Sequence, residues 1–181
     1  MIRGKLLLVR HCQAQGQAPE APLTSKGREQ AEMLAAFLGE WDVRQIVSSP
    51  YVRAVQSIEP LARLRDIVIE TDKRLGERVL GEPSPDWLNR LRTTFDDLDL
   101  CFATGESSRE AMERAVAVVK DVLQRDVLTT VVVTHGNLMA LLLKHFDDRF
   151  GFAGWHALTN SDVYRIDLDT NETSVVRVWQ G

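Results

Sequence analysis

The chain has 181 residues, of which 44% are hydrophobic and 27% are charged, and this composition excludes disordered, low-complexity and collagen-like classes. Its net charge of −4 offers no basic surface, so we expect neither a nucleic acid nor a membrane as partner. The longest apolar run, at 138–143, is far shorter than a bilayer span. The four apolar residues directly before Arg10 are too few for the apolar core of a secretory signal, so we expect none. Two cysteines cannot build a disulfide scaffold, so we expect a cytoplasmic location.

Short apolar runs alternate with stretches of helical periodicity along the chain. Thr24 is placed as an N-cap, and Ser107 with Glu110 fits a capping box. The predicted elements are a strand at 5–9, a helix from 24 to 39, a strand at 45–49, a helix at 52–64, a strand at 66–70, a helix after 107, a strand at 129–134, a helix at 138–146, and strands at 163–169 and 173–179 around a turn at 169–171.

This alternation predicts a three-layer α/β/α fold with a mostly parallel central sheet, formed by residues 1–181 as a single domain. Residues 78–106 are irregular and rich in glycine and proline, and we expect a small cap insertion there. Ligands of such sheets bind beyond the carboxyl ends of the strands. The residues that directly follow the predicted strands are therefore the first candidates for a ligand-binding site.

Two of the four histidines, His11 and His135, directly follow predicted strands. Arg10 precedes the first of them, and Arg53 lies in the first turn of the helix after the second strand. Each residue alone has an ordinary structural explanation, but together they predict a compact cationic pocket on an acidic protein. Arginine presents a planar fork of donors that matches phosphate oxygens, so the pocket should select a small dianion.

These residue types suit phosphoryl transfer. A neutral imidazole can attack phosphorus and form a covalent intermediate, while fixed cations stabilise the phosphoryl oxygens. The leaving oxygen also needs a general acid. Glu77 and Glu82, each beside a glycine after the third strand, are the candidates. A metal site of His11, Cys12 and His135 is disfavoured, because neighbouring residues rarely face one ion and the arginines would repel it.

Four motifs carry a family resemblance. They are LLLVRHC at 6–12, SSPYVRAVQS at 48–57, LGER at 75–78 and VVTHGNL at 132–138. In order and spacing they resemble the successive signatures of the histidine phosphatase superfamily, the phosphoglycerate mutase-like group. The resemblance covers nearly the whole chain.

The resemblance implies that His11 is the nucleophile that becomes phosphohistidine. It implies that Arg10, Arg53 and His135 surround the phosphoryl group. Glu77 takes the position of the family's proton donor. The family uses no metal and no organic cofactor, so the resemblance implies none for this chain.

The first loop departs from the family pattern. Cys12 stands where the family usually has glycine, and Ala14 lacks the hydroxyl of the commonest members. Gln17 stands where those members carry a phosphate-holding asparagine, and it is the candidate to substitute for it. The loop and the chain are both shorter than in the glycolytic mutases. These departures disfavour a phosphoglycerate mutase, which needs extra contacts to retain its intermediate.

We therefore expect a metal-independent phosphatase that hydrolyses a small phosphorylated metabolite, a phosphate monoester, through phosphohistidine. A phosphohistidine protein phosphatase is the alternative, favoured by the short first loop, and a non-catalytic phosphate-binding regulatory module is the second. The cap at 78–106, with Trp87 and Leu91, and the acid Glu77 are features that minimal phosphohistidine protein phosphatases lack, so they favour the first function. The sequence leaves a homodimer open.

Cys12 raises a separate hypothesis. Cations favour thiolate, the form that oxidants attack, and Arg10 and Arg53 are expected nearby. Peroxide would then inactivate the enzyme reversibly through Cys12. The alternative is a buried thiol that fills space.

Overall fold

The computed structural model describes residues 4–125, 128–168 and 173–181, and its elements alternate along the chain as predicted. A single 3₁₀ turn at Lys73–Leu75 follows the third strand. The strands and α-helices are β1 (Gly4–Arg10), α1 (Ser25–Gly39), β2 (Gln45–Ser48), α2 (Val52–Arg65), β3 (Ile69–Thr71), α3 (Trp87–Asp96), α4 (Ser108–Leu123), β4 (Thr129–Thr134), α5 (Gly136–Phe146), α6 (Phe152–His156), β5 (Asp162–Leu168) and β6 (Thr173–Gln180).

The described strands form one sheet in the order β3-β2-β4-β1-β5-β6. The four strands from β3 to β1 are parallel to their neighbours. β5 pairs antiparallel with β1, and β6 pairs antiparallel with β5. The prediction of a mostly parallel sheet is confirmed, and β1 lies at its centre between β4 and β5.

Both faces of the sheet are covered by helices. Alternate residues of a strand face opposite sides, so β1 contributes to two separate clusters of buried side chains. Leu6 and Leu8 pack with α3, α4 and α5, whereas Leu7 and Val9 pack with α1 and α2. This confirms the three-layer α/β/α prediction. None of the helices in the described ranges combines the length and apolarity that a membrane crossing needs.

Helix caps fall where the sequence placed them. The Thr24 hydroxyl accepts from the Gly27 N–H at 2.9 Å at the start of α1. Ser107 and Glu110 form a complete capping box at the start of α4, with bonds of 2.7 and 3.1 Å. Each cap satisfies backbone donors that a helix N-terminus otherwise leaves unpaired.

Two elements differ from prediction. The third strand was expected at 66–70 but is β3, which starts at Ile69, because Asp66 ends α2 in the left-handed region with φ of 53° and bonds back to Ala62. The five-residue α6 was not predicted, since it is too short to show helical periodicity. The predicted turn at 169–171 lies outside the described residues.

The segment 78–106 contains α3 and two flanking loops. Leu91 and Phe95 are buried against the α4 and α5 side of the sheet, whereas Trp87 is 50% exposed. The apolar stripe of α3 therefore runs from the core outward into solvent. That this segment is an insertion remains a prediction.

Gly27 fixes the first loop against α1. A Cβ on Gly27 would lie 2.0 Å from the carbonyl oxygen of Gln13, which also accepts from the Thr24 N–H at 3.0 Å. We expect Gly27→Ala to lower the free energy of unfolding by about 1–3 kcal/mol through overpacking, although alanine is the better helix former. Urea denaturation measures this. Gly151→Ala is the control, because nothing lies within 4 Å of its Cβ; equal stability of both variants would contradict the prediction.

Candidate active site

The carboxyl ends of β1, β2 and β4 meet at one edge of the sheet. His11 follows β1 and donates its N–H to the carbonyl of Thr134 at 3.1 Å, and Ser49 follows β2 and bonds in the same way to β4. His135 follows β4. The strand pairing therefore brings the two imidazoles together, with ring centroids 5.1 Å apart.

The hydrogen bonds of His11 fix its tautomer. Nδ1 lies 2.7 Å from the carbonyl oxygen of Cys12, which can only accept, so Nδ1 carries the proton. The Arg53 Nε–H donates to the free lone pair of His11 Nε2 at 3.2 Å. Burial lowers the pKa of His11 to about 3, the guanidiniums of Arg53 and Arg10 add to this, and the Cys12 carbonyl opposes it. The imidazole is therefore neutral at pH 7, with Nε2 as its nucleophilic atom.

His135 is fully buried beside it. Its Nε2 lies 2.7 Å from the Ser49 hydroxyl, and the Tyr51 ring packs against it at 4.7 Å between centroids. Burial lowers the pKa of His135 to about 2, with further contributions from His11 and Arg53. Its buried Nδ1 has no hydrogen-bond partner within the described part of the chain, so this atom is available to a ligand.

Arg10 lies flat against the first turn of α5. A Cβ on Gly136 would lie 3.1 Å from three atoms of the guanidinium, so a larger residue there would require Arg10 to shift by a few tenths of an ångström. Nη1 donates to the carbonyls of Leu158 at 3.1 Å and Thr159 at 3.4 Å. The buried Nε has no partner among the described residues. Burial lowers the pKa of Arg10, and the charges of Glu77 and Asp162 oppose that shift.

Arg53 is 1% exposed and reaches the site from the first turn of α2. Besides its bond to His11, it donates from Nη1 to the carbonyl of Ala18 at 2.8 Å and lies 5.0 Å from the Tyr51 ring. Burial lowers its pKa, while Glu77 and Tyr51 oppose that shift. In the described ranges, neither Arg10 nor Arg53 forms a salt bridge with a carboxylate. Both charges are therefore held by carbonyls, with donors left for an anion.

Of the two acidic candidates, the structure brings Glu77 to the site. Its Oε1 accepts from the N–H groups of Leu138 at 2.9 Å and Arg78 at 2.8 Å, and its Oε2 accepts from Asn137 at 3.1 Å. The carboxylate thus lies at the N-terminus of α5, two residues after His135. Oε2 accepts one bond and keeps a lone pair for a proton.

Glu82 and Gln17 are not brought into this group. Glu82 is exposed and accepts from the Thr104 hydroxyl at 3.4 Å. Gln17 is exposed, and its side chain makes no hydrogen bond to the described residues. The next residue, Ala18, does reach the site, because its carbonyl accepts a hydrogen bond from Arg53. The first loop therefore contributes backbone to the site, and a phosphate contact from Gln17 remains a prediction.

Cys12 does not face the pocket. It is fully buried among the apolar side chains that join α1 and α2 to the sheet, and its N–H donates to the Ser57 hydroxyl at 2.8 Å. Burial raises the pKa of the thiol, against weaker opposing hydrogen bonds from Ser57 and Ser161. The expected thiolate is therefore wrong, because burial outweighs the hydrogen bonds that would favour it. The alternative of an unreactive buried thiol fits the structure.

Several supporting residues were missed by the sequence reading. Tyr51 and Ser57 lie in the 48–57 motif, so spacing around Arg53 could have found them, whereas Ser49 is the last residue of a predicted strand and was within reach of the rule that ligands bind at strand ends. Asn160 could not be found in this way. Its Nδ2 donates to the His11 carbonyl at 2.9 Å from 149 residues away in sequence, and its own carbonyl accepts from Gln30.

Comparisons with known proteins place this chain in a family. A solved structure described as mycobacterial hydrolase 1 has a TM-score of 0.82 and 24% identity, and covers 98% of this chain and of its own. A mycobacterial glucosyl-3-phosphoglycerate phosphatase has a TM-score of 0.79 and 22% identity, and covers 98% of this chain and 99% of its own. These likenesses show that the fold is shared.

Sequence comparison reaches further. The chain is similar to a "Probable phosphoglycerate mutase GpmB" of Shigella boydii serotype 18, with 27% identity over 188 residues that cover 90% of this chain and 84% of that protein. The family model described as histidine phosphatase superfamily (branch 1) matches residues 6–180. That range includes every residue of the site described above. The chain therefore belongs to the histidine phosphatase superfamily.

Proposed function

We propose that this protein is a phosphomonoesterase that works through a phosphohistidine at His11. The observation that carries the proposal is the geometry at Nε2, which is unprotonated because Nδ1 carries the proton and which accepts a hydrogen bond from Arg53. An incoming phosphoryl group takes the place of that hydrogen bond. Nε2 attacks phosphorus, a nitrogen–phosphorus bond forms and the ester oxygen leaves with its electron pair. Water then attacks the phosphohistidine, which releases inorganic phosphate and restores the imidazole.

The charges of the site support a dianionic phosphoryl group as the ligand. Arg10 and Arg53 are held by carbonyl oxygens, and Arg10 Nε and His135 Nδ1 are buried without partners in the described ranges. Donors fixed in this way stabilise the phosphoryl oxygens without reorganising during the reaction. We propose that the two guanidiniums supply the charge compensation that Mg²⁺ supplies in other phosphoryl-transfer enzymes.

Glu77 is proposed as the proton donor. A proton on its Oε2 would pass to the leaving oxygen in the first step, and the same carboxylate would take a proton from the attacking water in the second. Its position beside His135 at the start of α5 supports this role, whereas Glu82 bonds to a loop threonine.

We propose a small organic monoester as the substrate, held by aromatic residues of α3 and α6. Arg78, directly after Glu77, donates to the Thr94 hydroxyl of α3 at 2.8 Å. The carbonyl of Leu158 accepts from Arg10, and the N–H of Leu158 donates to the backbone carbonyl of Trp155 in α6 at 3.1 Å. These bonds connect α3 to the segment that carries the proposed acid and α6 to a carbonyl that holds Arg10, and we propose that the leaving group lies between the two helices.

The rings of these helices meet in pairs. Trp87 and Trp155 pack edge to face at 6.2 Å between centroids, and Phe95 and Phe152 do so at 6.3 Å. This cover supports a leaving group with apolar or aromatic surface over the exposed side chain of a phosphorylated protein. A named relative is a probable mutase and a structural neighbour acts on glucosyl-3-phosphoglycerate. Phosphatase is favoured over mutase here, because Ala14 and the exposed Gln17 offer few extra contacts to retain an intermediate.

The nucleophile can be tested by trapping. Rapid quench with a ³²P-labelled aryl phosphate should give a protein-bound phosphate that is labile in acid and stable in alkali, and it should form equally in the presence of a chelator. His11→Ala should abolish both the trapped phosphate and turnover. The control is His145→Ala, which changes an exposed histidine in the last turn of α5. Turnover by His11→Ala near the wild-type rate would show that the nucleophile is another group.

The proton donor can be tested with leaving groups. Because kcat/KM ends at departure of the leaving group, it excludes the later step in which the same carboxylate takes a proton from water. Glu77→Gln should lower kcat/KM on an alkyl phosphate by about 10²–10⁴-fold, because an alkoxide must be protonated as it leaves. It should hardly affect 4-nitrophenyl phosphate, whose leaving group needs little protonation. Glu82→Gln is the matched control and should behave like the wild type on both. Equal losses on both esters for Glu77→Gln would indicate a structural role instead.

The proposed cover predicts a change in substrate preference. Trp87→Ala should raise KM about 2- to 10-fold for a naphthyl phosphate, the range expected from losing one aromatic contact, and leave KM for glycerol phosphate unchanged. Leu64→Ala, which truncates an exposed apolar side chain of α2, is the control. Phosphate release measures both constants. An equal change for the two esters would contradict a leaving-group contact at Trp87.

A further inference from the structure

One arginine of α4, Arg114, contacts the backbone of the loop that carries Glu77. Arg114 Nη1 donates to the carbonyls of Arg74 at 2.5 Å and Gly76 at 2.9 Å. Its Nη2 lies 3.5 Å from the carbonyl oxygen of Glu77 itself. One planar guanidinium thus spans three carbonyls of the segment 74–77, which belongs to no regular helix or strand beyond the 3₁₀ turn.

Glu106 orients this arginine and holds the other end of the loop. Its Oε2 accepts from Arg114 Nε at 2.9 Å and its Oε1 from Nη2 at 2.6 Å, which makes the pair bidentate. The same Oε1 accepts from the Val79 N–H at 3.2 Å, and the Glu106 N–H donates to the Val79 carbonyl at 2.9 Å. The pair therefore contacts the backbone on both sides of Glu77.

The pair is partly sheltered from solvent, with side chains 23% and 22% exposed. Burial raises the pKa of Glu106, but the hydrogen bonds and charge of Arg114 outweigh it, and the net pKa is lowered. Glu106 is thus ionised at neutral pH and the ion pair is intact. A bidentate, partly buried pair fixes geometry better than an exposed one, since the guanidinium fork has a single fitting orientation.

On the opposite side, the contacts of Glu77 are to another element. Its carboxylate bonds to the backbone N–H groups of Asn137 and Leu138 in α5, close to His135. Glu77 is therefore fixed at two points: α4 contacts its backbone carbonyl, and α5 binds its carboxylate. If the backbone could shift, the carboxylate could keep its helix contacts only by changing rotamer.

We propose that Arg114, oriented by Glu106, is a positioning residue that fixes the Glu77 carboxylate where it meets the leaving oxygen. This rests on the proposed function. Neither Arg114 nor Glu106 touches the substrate in this account. Their effect on the reaction passes through the backbone at 74–79, so it should appear wherever proton donation by Glu77 limits the rate, and nowhere else.

The experiment compares two esters, an alkyl phosphate and 4-nitrophenyl phosphate. Arg114→Ala should lower kcat/KM on the alkyl ester by about 10- to 100-fold, the loss that a displacement of roughly 1 Å produces, and should leave kcat/KM on the aryl ester nearly unchanged. Arg114→Lys should recover part of the loss, because one ammonium reaches fewer carbonyls. The matched control is Arg109→Ala on the same helix, whose pair with Asp99 is exposed and lies away from the loop.

A double-mutant cycle separates positioning from general destabilisation. In a Glu77→Gln background, Arg114→Ala should cause no further loss on the alkyl ester, since the group it positions is already gone. A loss that multiplies with that of Glu77→Gln, or that is equal on both esters, overturns the inference. Should Arg114→Ala fail to fold, Glu106→Gln and Arg114→Lys decide in the same way, and the absence of a selective alkyl loss in both overturns it.

Failure of the inference and failure of the proposed function give different results. If Glu77→Gln shows the selective alkyl loss and the Arg114 variants do not, the inference alone is wrong. If the wild-type chain hydrolyses neither ester, the proposed function is wrong and the inference falls with it.

Discussion

The contact between His11 Nδ1 and the carbonyl of Cys12 determines what the rest of the site can do. It places the imidazole proton on Nδ1, away from Arg53. Nε2 is therefore unprotonated, and its lone pair accepts the hydrogen bond from the Arg53 guanidinium. The contact depends on how the chain turns after β1. Ser57 accepts the Cys12 N–H and Asn160 donates to the His11 carbonyl, so two distant elements hold that turn.

Burying two guanidiniums beside two imidazoles is costly, and the structure shows how the cost is limited. The backbone carbonyls of Ala18, Leu158 and Thr159 take the arginine donors. Both histidines stay neutral because burial disfavours their charged forms and lowers their pKa values, and the nearby positive charges add to that shift. The remaining electrostatic imbalance is positive, and a dianionic ligand relieves it, so binding and transition-state stabilisation use the same groups.

The sequence could predict those parts of the site that depend on the strands. His11, His135 and Arg53 each follow a strand whose apolar pattern is clear, and parallel neighbours bring such residues together whatever the loops do. The LGER motif distinguishes Glu77 from Glu82 in the sequence, but the hydrogen bonds of Glu77 to α5 are visible only in the structure. The hypothesis for Cys12 was wrong, because a position two residues after Arg10 does not show which way the side chain points beyond the end of the strand. Asn160 and α6 gave no periodic signal, since one is a single loop residue and the other a single short turn.

Glu77 and Arg78 join the chemistry of the site to its cover. They are adjacent, yet Glu77 faces α5, whereas Arg78 is buried and donates to Thr94 of α3 and to the Glu106 carbonyl. A change in the position of α3 must therefore act on the backbone that also carries the proposed acid. Because Trp87 lies at the N-terminal end of the same helix, the proposed contact with a leaving group would be mechanically linked to the proposed proton donor. The carbonyls bound by Arg114 attach this loop to α4, and the Glu77 carboxylate attaches it to α5, so neither of these supports depends on the position of α3.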